Sequence, residues 1–271
     1  MKLLLLGTAA AEGWPAPFCT CDACEEARRR SGPNLRARSG ALLDDDFKID
    51  FNADTVMQMQ RSGRHLGGVK TIVFTHQHSD HIVPGEMLWA SSPFSNTPPP
   101  AVDVYGNAQV LGMLHAQFPD AGKHAFSFHK MRSGQETVTP SGDRILPLPA
   151  DHVEGALVLR ITRGGKTLFY GHDSGLYPTD TLQALAAGPP LDIALMDCTN
   201  GGVDTSNRGH MGISGVTQMT QELRRRGAIT EATRVIATHF SHNGKLGHEE
   251  LVHEFLPHNI EVAFDGMTIE V

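Results

Sequence analysis

The sequence predicts an α/β fold in which mixed β-sheets are covered on the outside by helices. Short apolar segments typical of strands alternate along the chain with segments that have a helical period. Gly164-Gly165 separates two of the apolar segments, and a two-residue turn of this kind joins antiparallel strands. The sheets therefore cannot be all-parallel.

The predicted strands are short apolar segments, rich in strand-forming residues and bounded by turn residues. They are 2–8, 41–51, 69–75, 102–105, 144–149, 156–162, 167–171, 191–198, 234–238, 260–264 and 268–271. In the first of these segments Lys2 precedes a run of leucines, as at the start of a signal peptide. The run stops at Gly7 and is shorter than a secretory or membrane-spanning segment, so we interpret it as a buried strand.

The predicted helices have apolar residues at helical spacing, and several end at Pro or Gly. They are 81–90, 109–118, 179–187, 213–226 and 249–255. The Pro-rich stretch 93–100 is interpreted as a surface loop. Because there is no internal repeat and no long linker, residues 1–271 are expected to form a single domain.

Composition and charge limit the classes of function. A chain of 271 residues with 40% hydrophobic residues can bury a full core. Its 23 Lys and Arg against 30 Asp and Glu give a net charge of -7, which argues against a general nucleic-acid-binding protein. The arginine triplets at 28–30 and 224–226 are interpreted as solvated helix faces. We expect a cytoplasmic protein with neither a nucleic-acid nor a membrane partner.

The chain has 15 histidines, and four potential metal ligands follow the strand 69–75 within a few residues. They are His76, His78, Asp80 and His81. Imidazole nitrogens and a carboxylate oxygen suit zinc, manganese or iron. The segment therefore predicts a metal-binding loop.

This His-X-His-X-Asp-His pattern after a buried strand resembles the defining motif of the metallo-β-lactamase superfamily. The resemblance implies a four-layer αββα sandwich of two mixed β-sheets. It also implies further ligands downstream, matched here by His152, Asp173 and His239. The first metal would then be bound by His76, His78 and His152, and the second by Asp80, His81 and His239. Asp173 would bridge the two metals.

Two divalent ions, Mn²⁺ or Zn²⁺, would explain this set of ligands chemically. Ions about 3.5–4 Å apart can share a hydroxide and neutralise both the attacked and the leaving oxygen of a phosphoryl or acyl substrate. A carboxylate suits the bridging position because it has two oxygens and offsets part of the positive charge.

A second cluster of ligands lies near the N-terminus, in a loop at about 18–25. Cys19, Cys21 and Cys24 supply three thiolates close enough for one tetrahedral zinc. The fourth ligand is predicted to be His242, three residues after His239. One short loop would then serve the active centre and a structural Zn²⁺, and the zinc would stabilise the fold.

The combination of these motifs resembles the phosphoribosyl cyclic phosphodiesterases of phosphonate catabolism, nearly end to end. Members of that family open ribose 1,2-cyclic phosphate 5-phosphate to ribose 1,5-bisphosphate and typically use manganese. The resemblance implies that His210 binds the substrate phosphate, and we predict His210 and Asp80 as catalytic residues. It also implies a small phosphorylated sugar as substrate and a homodimer.

Three other functions remain open. The first two are an RNA-processing endonuclease and a thiolester or lactam hydrolase of the same fold. The third is a non-catalytic protein stabilised by bound metal, like the superfamily members implicated in pyrroloquinoline quinone biosynthesis. The histidines outside the predicted sites, including His172 beside Asp173, are interpreted as structural or surface residues.

Overall fold

The computed structural model describes residues 1–271 and contains two seven-stranded sheets. The first sheet comprises β1 (Lys2–Gly7), β2 (Gly40–Leu43), β3 (Phe47–Ile49), β4 (Thr71–Val73), β5 (Val102–Gly106), β6 (Phe126–Lys130) and β14 (Thr268–Glu270). Its spatial order is β14-β1-β2-β3-β4-β5-β6. Strands β14 to β3 pair antiparallel and strands β3 to β6 pair parallel, so this sheet is mixed.

The second sheet is also mixed. It comprises β7 (Thr137–Val138), β8 (Arg144–Pro149), β9 (Leu157–Arg163), β10 (Lys166–Gly171), β11 (Ile193–Asp197), β12 (Arg234–Thr238) and β13 (Glu261–Val262). In the order β13-β12-β11-β10-β9-β8-β7, the pairs from β13 to β10 are parallel and those from β10 to β7 are antiparallel. The predicted hairpin turn is confirmed, since Gly164 and Gly165 both have positive φ, at 58° and 78°, between paired Arg163 and Lys166.

Six helices cover the sheets. They are α1 (Asp22–Arg30), α2 (Thr55–Ser62), α3 (Ala108–Gln117), α4 (Thr179–Ala186), α5 (Ile213–Arg225) and α6 (His248–Phe255). None of them is both long and apolar enough to span a bilayer.

The two faces of β1 show how the layers are built. Leu3 and Leu5 belong to the large apolar cluster that joins the two sheets and also includes buried residues of α4, α5 and α6. Leu4 and Leu6 point the other way, into a smaller cluster with buried residues of α3. The result is the expected four-layer αββα sandwich, and each sheet has one face on its partner and one under helices.

Two sequence predictions of local structure were wrong. The segment 41–51 is not one strand, because Asp44 and Asp45, with φ of 45° and 63°, turn the chain between β2 and β3. The segment 81–90 is not an α-helix. The backbone around Ile82 forms a bridge with Phe51, and only a 3-10 helix follows at Pro84–Ala90. This bridge uses backbone groups that an α-helix would need.

Candidate metal centre

The predicted active-site ligands all follow strand ends on one side of the sandwich. The loop after β4 contains His76 to His81, and the loop after β8 contains His152. Strands β10, β11 and β12 are parallel neighbours, so their carboxyl ends meet at one edge of the second sheet. Asp173 and His239 follow two of these ends. Both have positive φ, 49° and 62°, an uncommon conformation that concentrates at functional sites.

The first group of ligand atoms comes from His76, His78 and His152, and these atoms lie within 4.8 Å of one another. The Nε2 atom of His152 is 3.2 Å from the Nδ1 atom of His78. The rings of His76 and His78 meet edge to face, with centroids 4.6 Å apart. The three imidazoles predicted to bind the first metal are thus brought together.

The second group comes from Asp80, His81, Asp173 and His239, all buried. The Nε2 atom of His81 lies 3.1 Å from Asp80 Oδ2 and 2.9 Å from Asp173 Oδ2, and the Nε2 atom of His239 lies 3.2 Å from Asp173 Oδ2. The other oxygen of Asp173, Oδ1, is 3.7 Å from the Nε2 atom of His152 in the first group. Asp173 therefore lies between the two groups, as a bridging ligand would.

The hydrogen bonding of these atoms tests whether the site fits metal ions. Four buried atoms have no hydrogen-bond partner, namely His76 Nε2, His81 Nε2, His239 Nε2 and Asp173 Oδ2. The short contacts among these atoms do not have hydrogen-bond geometry, so the atoms are left unpaired. Leaving a buried polar group unpaired costs about 1–3 kcal/mol of stability. Imidazole and carboxylate atoms that converge without bonding one another are suited to divalent cations, so the residues fit two such ions.

Asp50, which the sequence analysis did not single out, holds the metal loop in place through hydrogen bonds. Its fully buried carboxylate accepts hydrogen bonds from His81 Nδ1 at 2.7 Å and from the backbone N–H of Thr75 at 2.9 Å. This leaves Nε2 of His81 to face the centre. Burial alone would disfavour the protonated ring, but the carboxylates of Asp173, Asp50 and Asp80 outweigh it and raise the pKa of His81 well above its ordinary value. The sequence signal is an aspartate at the end of a strand beside the metal loop.

The predicted catalytic residue His210 lies at the open side of the centre, with 28% of its side chain exposed. Its ring centroid is 4.8 Å from that of His152. The Nδ1 atom of His210 donates a 2.9 Å hydrogen bond to the buried carboxylate of Asp197, and Nε2 makes no hydrogen bond within the protein. Burial opposes protonation, but Asp197 outweighs it and raises the pKa of His210.

Asp197 and Thr199 are further site residues that the sequence analysis did not single out. Thr199 Oγ1 lies 3.2 Å from Asp197 Oδ2 and 2.9 Å from His239 Nδ1, so it joins the His210 pair to a predicted metal ligand. As for Asp50, the signal in the sequence is a position at the end of a strand. Asp197 ends β11, and the strands that flank β11 lead into predicted ligands.

The cysteine cluster is a separate site. The ligand atoms of Cys19, Cys21, Cys24 and His242 lie within 4.8 Å of one another, and none of the cysteines forms a disulfide. His242 Nδ1 is 3.4 Å from Cys21 Sγ and 3.7 Å from Cys19 Sγ. Tetrahedral zinc with ordinary bond lengths separates its ligand atoms by about 3.5–3.8 Å, so the cluster fits one Zn²⁺. The backbone N–H of Cys24 contributes most to lowering the pKa of Cys21 to about 6.

His172 belongs to neither group of active-site ligands. It is buried, its ring stacks on Tyr170 at 4.0 Å, and both of its ring nitrogens lack a partner. Burial lowers the pKa of His172 to about 3.

The chain is similar in sequence to one protein family and to several known proteins. Residues 47–240 match the family model described as "Beta-lactamase superfamily domain". The chain is 27% identical to "Coenzyme PQQ synthesis protein B" from Azoarcus sp. (strain BH72), with 100% of both chains covered. It is also 27% identical to "Ribonuclease Z" from Mycobacterium bovis (strain BCG / Pasteur 1173P2), over 59% of this chain and 61% of that protein.

Comparison with solved structures shows the same fold. The chain superposes on a structure described as "a New Diphosphatase from the PhnP Family" with a TM-score of 0.77 and 23% identity, covering 100% of this chain and 97% of the other. It superposes on Zn(2+)-bound PqqB from Methylobacterium extorquens with a TM-score of 0.74 and 16% identity, with 100% of both chains covered.

Proposed function

The chain belongs to the beta-lactamase superfamily, and from that premise we propose that it is a metal-dependent phosphoric diester hydrolase that opens a small cyclic phosphate. The observation that carries this proposal is the joining of two ligand groups at Asp173, with His210 backed by Asp197 at the open side. A site that only stored metal would not need an imidazole held with a free nitrogen beside the ligands.

The roles of the residues follow from their positions. His76, His78 and His152 would hold one divalent ion, Asp80, His81 and His239 would hold the other, and Asp173 would bridge them. Two bound ions, Mn²⁺ or Zn²⁺, would supply positive charge for the phosphoryl oxygens and a water-derived nucleophile near neutral pH. The carboxylate of Asp50 keeps His81 aimed into the centre.

His210 acts as the proton donor in this proposal. The oxygen of a water molecule forms the new bond to phosphorus, and the bond from phosphorus to the departing sugar oxygen breaks. His210 Nε2 delivers a proton to that oxygen, while Asp197 holds the ring in place through Nδ1. Of the two protons of the water, one returns to His210 through solvent and restores the donor, and the other leaves with the new phosphomonoester's ionisation or stays on it as P–OH.

The proposed substrate is ribose 1,2-cyclic phosphate 5-phosphate, which would give ribose 1,5-bisphosphate in phosphonate catabolism. Support comes from the sequence resemblance and from the structural likeness to a diphosphatase of the PhnP family. A small phosphorylated sugar also suits the net charge of -7 better than a long polyanion does. A structural Zn²⁺ at the cysteine cluster, a homodimer and a cytoplasmic location complete the proposal.

The test is turnover by protein loaded with Mn²⁺ or Zn²⁺. The ribose cyclic phosphate is compared with a 2′,3′-cyclic nucleotide, an aryl phosphodiester and a linear diphosphate. We expect strong preference for the ribose substrate. Activity on the other esters without that preference would move the enzyme to another phosphodiester, and preference for the linear diphosphate would make it a diphosphatase. No turnover of any of them, with both metals bound at the named residues, would overturn the proposal.

A second candidate is a role in pyrroloquinoline quinone synthesis. One observation favours it, namely the match to coenzyme PQQ synthesis protein B over the full length of both chains. The two candidates separate in a single preparation, because only the hydrolase releases a phosphomonoester from the substrates above.

The other two alternatives are tested in the same way. An RNA-processing endonuclease, the alternative that the match to "Ribonuclease Z" supports, requires a tight and salt-sensitive tRNA complex. A thiolester or lactam hydrolase requires attack on a carbonyl, so parallel assays with thiolester and phosphodiester substrates distinguish it.

A further inference from the structure

Glu12 faces the imidazole of the cysteine cluster from outside the active centre. We propose that Glu12 is a positioning residue that orients His242 toward a zinc ion bound by Cys19, Cys21 and Cys24. The inference rests on the structural Zn²⁺ of the proposed function and adds a fifth residue to that site.

The two ring nitrogens of His242 face different neighbours. Nδ1 points to the thiolates, 3.4 Å from Cys21 Sγ and 3.7 Å from Cys19 Sγ. Nε2 lies 3.6 Å from Oε1 of Glu12. A histidine that binds metal through Nδ1 must carry its proton on Nε2, and a nearby carboxylate favours this tautomer.

Glu12 is itself held in place. Ser241, the residue before His242, donates a hydrogen bond from Oγ to the same Oε1 atom at 2.5 Å. Ser241 Oγ also accepts a 3.1 Å hydrogen bond from the backbone N–H of Asn243. The ion-pair contact of Glu12 is with His242, and no Lys or Arg side chain pairs with it.

Backbone hydrogen bonds bring the two loops together independently of the Glu12 side chain. Ala9 and Phe240 form a parallel bridge, the N–H of Phe240 donates to Thr8 O at 2.8 Å, and the N–H of Ala10 donates to Phe240 O at 2.9 Å. The contact between Glu12 and His242 therefore joins two segments that are already paired. Such preorganisation lowers the entropic cost of ordering a ligand.

The experiment uses cobalt in place of zinc in the full-length protein. Thiolate ligands give Co²⁺ a near-ultraviolet charge-transfer band, and the predicted active centre has no thiolate, so this band reports the cysteine cluster alone. A chelator is titrated against the cobalt-loaded protein. Replacing Glu12 with Gln keeps the size of the side chain and removes its charge, and we expect Glu12→Gln to weaken cobalt binding about 10- to 100-fold.

The matched control is Glu136→Gln, which makes the same charge change beside β7, at the far end of the second sheet from β12, in a side chain that pairs with Arg144 instead of His242. It should leave cobalt affinity unchanged. Ser241→Ala, which removes the hydroxyl that holds Glu12, should weaken binding in the same direction and serves as the test if Glu12→Gln does not fold.

The outcomes separate the two proposals. If wild-type protein shows no charge-transfer band, the metal site itself is wrong. If the band is present but Glu12→Gln binds cobalt as the wild type does, only the role of Glu12 fails. An equal loss in Glu12→Gln and Glu136→Gln would also overturn that role, because the effect would then come from net charge.

Discussion

At the scale of single residues, His210 is the side chain on which the proposed chemistry depends most directly. Changing His210→Ala removes the proton donor but none of the proposed metal ligands. We expect both active-site metals to be retained and turnover to fall about 10²- to 10⁴-fold. Steady-state kinetics and metal analysis of the same preparation measure the two effects.

The control for this change is His253→Ala, in a histidine on α6 whose side chain is 87% exposed. It should have wild-type turnover. If His210→Ala also turns over at the wild-type rate, His210 is a bystander and the proposed proton donor must be another group.

The Cys21→Ser variant tests whether the cysteine cluster is independent of the active centre. It removes one thiolate from the cluster, so we expect the loss of one zinc and a lower thermal midpoint. Some turnover should survive in the folded fraction, because no active-site ligand is changed. Complete loss of activity with the fold intact and the zinc content unchanged would contradict a purely structural role.

The ligands of the metal loop were the feature of this molecule that the sequence predicted best. The metal loop at 76–81 could be found because four potential ligands lie within a few positions after a strand. Asp50 and Asp197 could not be assigned in the same way, since each is one aspartate among many. Their roles come from contacts with His81 and His210, which are distant from them in the sequence.

At the scale of elements, local turn chemistry was a better guide than apolar periodicity. The Gly164-Gly165 hairpin was predictable because both residues must adopt positive φ. The segment 81–90 was predicted as a helix from its apolar spacing. Its backbone instead bonds to Phe51, a tertiary contact that overrides local preference and that the sequence does not encode locally.

Asn107 connects an element to the site and allows a prediction at this scale. Its side-chain oxygen accepts from the N–H of Val110 and caps α3, and its Nδ2 donates to Gly155 O, both at 2.8 Å. The second bond fixes the loop that contains His152. We expect Asn107→Ala to lower the free energy of unfolding by about 2 kcal/mol, since it loses both the cap and the loop bond.

Asn107→Ser is the matched variant, because serine keeps an N-cap oxygen but is too short to reach Gly155. Denaturant unfolding should place it between the wild type and Asn107→Ala. If the two variants lose equal stability, the cap contributes nothing and only the loop bond matters.

At the scale of the whole molecule, the mixed character of the sheets could be predicted and their pairing order could not. The strands β1 and β14 lie at opposite ends of the chain, yet they pair in one sheet. Periodicity identifies strands but does not say which of them are neighbours. The four-layer arrangement therefore came from the family resemblance, and the convergence of ligands from separate loops depends on it.

The stability of the whole molecule should depend on pH through Lys48, a fully buried cation on β3. Its ammonium group donates to the backbone oxygens of Ile49 and Asp50 and has no carboxylate in ion-pair contact. Burial lowers the pKa of Lys48 to about 8, below the value near 10.5 of a free lysine. Between these two values the native state binds fewer protons than the unfolded state, so stability rises with pH.

The expected rise in the free energy of unfolding between about pH 8 and pH 10.5 is up to about 3 kcal/mol. Denaturant unfolding across this range measures it for the wild type and for Lys48→Met, which has a side chain of similar length that does not titrate. The variant retains every other titrating group, so the difference between the two curves isolates Lys48. Parallel curves would show that Lys48 keeps an ordinary pKa in the folded protein and is hydrated despite its position.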